Sequence, residues 1–165
     1  MNKIIYYFII VFLTSFYSYG FVAKNSIQKL NQSIIFDLIV KDSVRTLYTK
    51  DLNVKSFFKL FTEKYVENKK LNLITLSGDF PEKWVKDEDV EYLISLIKSK
   101  KNCCSYINIY SSMITNEEAE VGGFAIIFLN SYIENKQINL GLVYSPKTDT
   151  KSIEIIESWY KNQSK

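Results

Sequence analysis

The chain contains no histidine, and no other feature of its composition excludes as much chemistry. Ser-His-Asp and Cys-His catalysis, zinc sites with imidazole ligands and histidine pH switches all need the missing side chain. Proline (2 residues) and glycine (5 residues) are also scarce, and charged residues make up 24% of the chain. That composition excludes collagen-like, linker-like and strongly disordered classes.

Thiols are nearly absent as well. Cys103 and Cys104 are the only two, and they are neighbours. A bridge between adjacent cysteines closes an eight-membered ring, far from the usual Cα separation of roughly 5.5 Å. Two buried small apolar residues is the plain reading. A vicinal redox pair and an intermolecular bridge are the alternatives, so their redox state stays open. Two adjacent thiolates cannot complete a four-ligand zinc site without other soft ligands. Gly-x-Ser-x-Gly is absent, and no Ser-x-x-Lys stands in a penicillin-binding context.

What the sequence does have begins at its amino end. Lys3 is the only charge before Lys24, and an apolar run from Ile4 to Leu13 leads into a polar region ending at Ser18-Tyr19-Gly20. A short basic start, a ten-residue apolar run and small residues at the last and third-from-last positions read as a secretory signal, residues 1–20, cleaved after Gly20. If it is not cleaved, the apolar stretch extended to Ala23 is about long enough to anchor the chain in a bilayer. No cysteine follows the run, which argues against a lipoprotein.

Removing Lys3 with the signal leaves 20 basic against 18 acidic residues, a net charge of +2. Residues 21–165 show no repeat, low-complexity tract or linker and are expected to form one helical domain. The expected fold class is mainly α, with five to six antiparallel-packed helices and room for one short two-stranded β element. Ser26 to Val40 has helical spacing. Asn53 is placed to cap a helix carrying Val54, Phe57, Phe58, Phe61 and Tyr65. Asp87-Glu88-Asp89 open a third helix, with Lys98 and Lys100 in its last turn. A fourth follows Glu117, Glu118 and Glu120, and Gly122-Gly123 in its first turn suggests close packing against a neighbouring helix. Thr148 or Asp149 caps the last one. Leu71 to Leu76 and Ser105 to Tyr110 are short enough to pair as strands, although Tyr106 to Met113 fits one more helix slightly better.

Candidate sites are few. Asp79, Asp87, Asp89 and Glu91 are the residues a calcium site would draw on, but their spacing matches no EF-hand loop. The plainer reading is a turn shaped by Gly78 and Pro81, Trp84 against the core, and acids that favour a helix start. A carboxylate-pair hydrolase would have to choose among Asp79, Glu82, Asp87, Glu117, Glu118 and Glu120. Gly122-Gly123 lacks the Lys-Ser or Lys-Thr of a phosphate loop. The charge is too balanced for nucleic acid. Tyrosine is favoured at recognition surfaces, and eight follow the signal, Tyr48, Tyr65, Tyr92, Tyr106, Tyr110, Tyr132, Tyr144 and Tyr160, but most of those at helical spacing are more simply core-edge residues, and no binding residue is assigned.

These observations lead to an exported, periplasmic or secreted, non-catalytic protein of the cell envelope that needs no cofactor and no metal. Its expected partner is a protein outside the cytoplasm, and no catalytic or metal-binding residue is assigned. An immunity-type inhibitor of a toxic hydrolase is one specific form. A membrane-anchored accessory subunit and a histidine-free carboxylate-dependent envelope hydrolase are the alternatives, and a membrane is involved only if the first segment stays attached.

Overall fold

The computed structural model describes residues 47–163, so the signal segment, its cleavage point and the helix expected from Ser26 to Val40 lie outside the described residues. The first strand, β1 (Leu47–Tyr48), leads through a single 3-10 turn into α1 (Val54–Glu63). Asn53 caps α1 as its sequence predicts. The Ser56 amide donates to Asn53 Oδ1 at 2.8 Å, and the Asn53 amide donates to Ser56 Oγ at 2.8 Å. This reciprocal pair satisfies two orphan donors of the first turn. Val54, Phe57, Phe58 and Phe61 then line the buried face at steps of three and four.

β2 (Leu73–Ser77) follows, and then α2 (Asp87–Leu96). The Asp89 carboxylate turns back to accept the Lys86 amide at 3.1 Å, so the acids at this helix start do serve its N-terminus. The helix stops at Leu96, which leaves Lys98 and Lys100 beyond it. Next come β3 (Asn102–Cys103), β4 (Ser105–Asn108) and β5 (Ala119–Glu120), then α3 (Val121–Glu134), β6 (Val143–Tyr144) and α4 (Thr150–Gln163). Asp149 caps α4 by accepting the Ser152 amide at 2.7 Å.

The expectation of a mainly α, all-helical fold is therefore corrected. The described residues hold four α-helices, a four-stranded mixed sheet ordered β1-β2-β4-β6, and a two-stranded pair β3-β5. β1, β2 and β4 run parallel, and β6 joins β4 antiparallel. The helix preferred for Tyr106 to Met113 is strand β4 and the loop after it. Its signal was misleading because Ser105, Tyr106 and Ile107 are all buried, so the strand shows no polar-apolar alternation. Four of the six strands are two residues long, too short for any sequence pattern.

One core holds the helices to the sheet. Ile74, Leu76 and Tyr106 from the strands meet Phe57 and Phe61 of α1, Leu93 of α2, and Phe124 and Phe128 of α3. Phe57 is its hub, stacked on Phe61 at 4.0 Å between ring centroids and edge-on to Phe124 at 5.1 Å and Phe128 at 5.0 Å. α3 is apolar almost all round because α4 covers its other side, burying Ile156 and setting Trp159 against Tyr132 at 6.0 Å.

Gly122 and Gly123 pack closely, though not against a helix flank. A methyl group on Gly122 would sit 2.7 Å from the Ile97 carbonyl oxygen and 2.8 Å from that of Ser99. One on Gly123 would meet the Pro146 backbone at 2.6 Å. The first amides of α3 are used in the same place. Val121 donates to the Lys101 carbonyl at 3.0 Å and Gly122 to that of Ser99 at 2.8 Å. This helix N-terminus is closed by other backbone, which agrees with the absence of a phosphate-loop sequence.

Candidate functional site

The acidic stretch that stands out in the sequence does structural work. Gly78 takes a left-handed φ of 79° at the end of β2, and Phe80 and Trp84 fold back into the core with ring centroids 4.9 Å apart. The Trp84 indole N-H donates to the Leu52 carbonyl at 2.6 Å. Asp79 and Glu91 are exposed, Asp89 closes its own helix start, and Asp87 accepts the Tyr132 hydroxyl at 2.8 Å. Among the described residues no three His, Cys, Asp or Glu side chains gather to hold a metal ion.

Of the remaining carboxylates, Glu82 and Glu117 are exposed, while Glu118 and Glu120 act as braces. Glu118 accepts the Tyr65 hydroxyl at 2.5 Å on one oxygen and the Asn102 amide group at 2.6 Å on the other. This ties the chain after α1 to β3 and to the approach to β5. The bond to Glu118 pushes the Tyr65 hydroxyl above the usual tyrosine range. Glu120 accepts both the Thr148 hydroxyl at 2.6 Å and its amide at 2.9 Å, with Lys147 at 3.7 Å. The Thr148 hydroxyl, its amide and Lys147 together hold the Glu120 carboxyl below the ordinary range. Each of these two carboxylates is committed to fixed donors in its own part of the fold.

Cys103 and Cys104 are free thiols buried in the core. Burial pushes Cys103 up to about 12 and Cys104 up to about 11, so both are protonated at neutral pH. The plain reading of the pair as small apolar core residues describes them well.

Between the amino ends of α1 and α2 lies an open cleft of about 420 Å³ lined by Asn53, Lys55, Trp84, Lys86, Glu88 and Asp89. Two lysines face two acids there. Asn53, the Trp84 indole N-H and Asp89 are already engaged in the caps and loop bonds just described. The remaining polar groups the cleft offers, the Lys55, Lys86 and Glu88 side chains, are all exposed to solvent, and among the described residues no buried polar atom without a partner points into it.

The sheet offers a different kind of surface. Of the eight candidate tyrosines, Tyr106 is buried and Tyr65, Tyr92, Tyr132 and Tyr160 are half-buried, as core-edge residues are. The exposed three all stand on or beside the sheet. Tyr48 lies in β1, Tyr110 just past β4, and Tyr144 in β6. Ile109, Met113 and Ile114 in the chain after β4, and Leu142 just before β6, are also exposed, with Tyr110 at 82% and Met113 at 66% accessible.

Strand pairing sets Leu142 and Tyr144 beside β4, where the segment with Ile109 and Tyr110 begins. The Asn108 amide donates to the Leu142 carbonyl at 2.7 Å, Tyr144 stands opposite Tyr106, and the Ile109 amide donates to the Leu76 carbonyl at 3.1 Å. Leu142 and Tyr144 thus lie on the face that carries Tyr106 and the core, at the sheet margin where side chains emerge into solvent.

Sequence reasoning did not single out Ile109, Met113, Ile114 or Leu142. One signal could have. Residues 102–116 and 137–146 carry no charge at all, and these two stretches supply β4, β6 and the exposed apolar group beside them. Among the described residues no helix is long and apolar enough to cross a membrane. Comparison with protein-family models, with curated proteins and with solved structures gives no match.

Proposed function

We propose that this chain is a binding protein of the cell envelope that recognises another protein through the uncharged apolar surface at the β4-β6 margin of its sheet. The observation that carries the reading is the exposure of Ile109, Tyr110, Met113, Leu142 and Tyr144 on two neighbouring chain stretches without a single charge. Water gains nothing from such a surface, whereas a partner that covers it gains roughly 25 cal/mol for each Å² of apolar area removed. Tyrosine suits it, since the ring supplies area and the hydroxyl a directional bond at low entropic cost. The amino-terminal segment supports action outside the cytoplasm. An immunity-type inhibitor that covers the cleft of a toxic hydrolase is the specific form this reading favours. A surface of this kind binds without needing a reactive group.

Retention of a partner from envelope extract on the immobilised full chain tests the proposal. Wild type is expected to retain a defined protein, and Tyr110→Asp combined with Leu142→Asp to lose it while unfolding at an unchanged temperature. If nothing is retained, or if the double variant retains the same protein equally well, the proposal is wrong. The mass of the mature chain reports separately on residues 1–20, whose loss excludes a membrane anchor.

A further inference from the structure

We propose that Met113 is a site of reversible oxidation by peroxide, at which formation of the sulfoxide turns the uncharged apolar surface beside β4 polar. Three sulfur atoms lie among the described residues, those of Cys103, Cys104 and Met113. Cys103 and Cys104 are shut inside the core. Met113 is 66% accessible and has no place in the core cluster. Local bonds fix the turn that carries it. The Met113 amide donates to Ser111 Oγ at 3.1 Å, the Ser111 hydroxyl donates to the Met113 carbonyl at 3.0 Å, and the Ser111 amide donates to the Asn108 carbonyl at 2.9 Å. The backbone is thereby pinned to the end of β4 while the Met113 side chain stands in solvent.

A thioether has no proton to lose, so its sulfur reacts with peroxide whatever the pH, whereas a cysteine reacts as the thiolate. Both thiols here are held protonated as well as buried. At Met113 the sulfur lone pair attacks the outer oxygen of the peroxide, the O-O bond breaks, and the proton of the attacked oxygen passes to the departing one. The sulfur is oxidised by two electrons to the sulfoxide. The peroxide is reduced by two electrons to water or, for an alkyl peroxide, to an alcohol. An apolar atom is thus replaced by a strong hydrogen-bond acceptor, on a stretch, residues 102–116, that carries no charge and exposes Ile109, Tyr110 and Ile114 as well. A partner covering this surface, on the protein-binding reading above, meets a polar oxygen that must be desolvated or paired. A dithiol-dependent reductase reverses the step, returning the thioether and water while its dithiol becomes a disulfide.

The probe is hydrogen peroxide applied to the native full chain at pH 7, read by mass and by fragmentation of the tryptic piece 102–136, which holds all three sulfurs. One oxygen is expected on Met113, at least tenfold faster than any change at Cys103 or Cys104, and both thiols should still be alkylated once the chain is unfolded in urea. Retention on a phenyl matrix reports the surface. The oxidised wild type is expected to elute earlier, and methionine sulfoxide reductases to restore the original elution. Met113→Leu, which keeps the apolar bulk without the sulfur, is expected to elute alike before and after peroxide. Oxidation of either cysteine before Met113 overturns the proposal, as does a Met113 that resists peroxide in the native chain while the unfolded chain is converted. An equal shift of wild type and Met113→Leu, or no shift of either, overturns it too. None of these readouts uses a partner, so such results leave the protein-binding reading standing.

Discussion

Phe57 shows how much a single side chain carries here. It is fully buried, and its ring meets Phe58, Phe61, Phe80, Trp84, Phe124 and Phe128. Phe57→Ala removes the hub and leaves a cavity that stiff aromatic neighbours cannot collapse to fill. A cost of about 3–5 kcal/mol is expected. Domains of this kind are stable by only about 5–15 kcal/mol, so a urea titration should show the midpoint fall by a large fraction of its value. The two thiols make a different prediction. Both are buried and held protonated, and the nucleophile in alkylation is the thiolate. Iodoacetamide at pH 8 is expected to leave the native chain unmodified over a period in which the urea-unfolded chain takes up two equivalents, as read by mass.

At the level of elements, the start of α3 is the most constrained place in the fold. Replacing a helical glycine by alanine ordinarily stabilises a helix by about 1 kcal/mol. At Gly122 the added methyl would press on the carbonyl oxygens of Ile97 and Ser99, which are backbone and cannot rotate aside. Overpacking of this kind costs typically about 1–3 kcal/mol, so the clash outweighs the propensity gain. Gly122→Ala is therefore expected to lower the unfolding temperature, and a rise would show that the segment after α2 gives way. The elements also differ in how far sequence reveals them. α1 was legible because its cap, Asn53, and its apolar face, Val54 to Phe61, are all local. β3, β5 and β6 were not, because a two-residue strand exists only by virtue of the strand beside it. β4 was misread because burial on both faces removes the alternation that identifies a strand.

For the molecule as a whole, the buried ionisable groups set its response to alkali. Burial raises both thiols, burial alone raises Tyr92, and burial is the main cause at Tyr106. A group raised in the folded state keeps its proton after the unfolded chain has lost it. Unfolding then releases protons, and stability falls as pH rises. The thiol contribution is complete below about pH 9 and is lost from there towards pH 11–12. One pKa unit is worth about 1.4 kcal/mol, so the two thiols should account for a few kcal/mol by pH 11. Urea midpoints measured from pH 8 to 11 are expected to fall. The slope should be shallower in a Cys103→Ala, Cys104→Ala variant, with the tyrosines supplying what remains. An unchanged slope would mean that the thiols are not shielded as the structure places them.

The sequence by itself determined the helices whose caps and apolar faces lie within one stretch of chain, the turn at Gly78, and the missing histidine that removes whole classes of chemistry. Local spacing and composition are enough for these, because the interactions responsible join residues a few positions apart. Only the tertiary structure decided that the body is a mixed sheet covered by helices, and only it decided which apolar side chains stand exposed beside β4 and β6. Acidic residues drew attention in the sequence because charge is conspicuous there, yet Glu118, Glu120 and Asp89 are committed to internal bonds. The exposed apolar residues were inconspicuous for the opposite reason. Ile107 and Ile109 are the same residue type two positions apart, and one is buried while the other is open to solvent. What separates them is the end of a strand, set by pairing with chain more than thirty residues away in either direction.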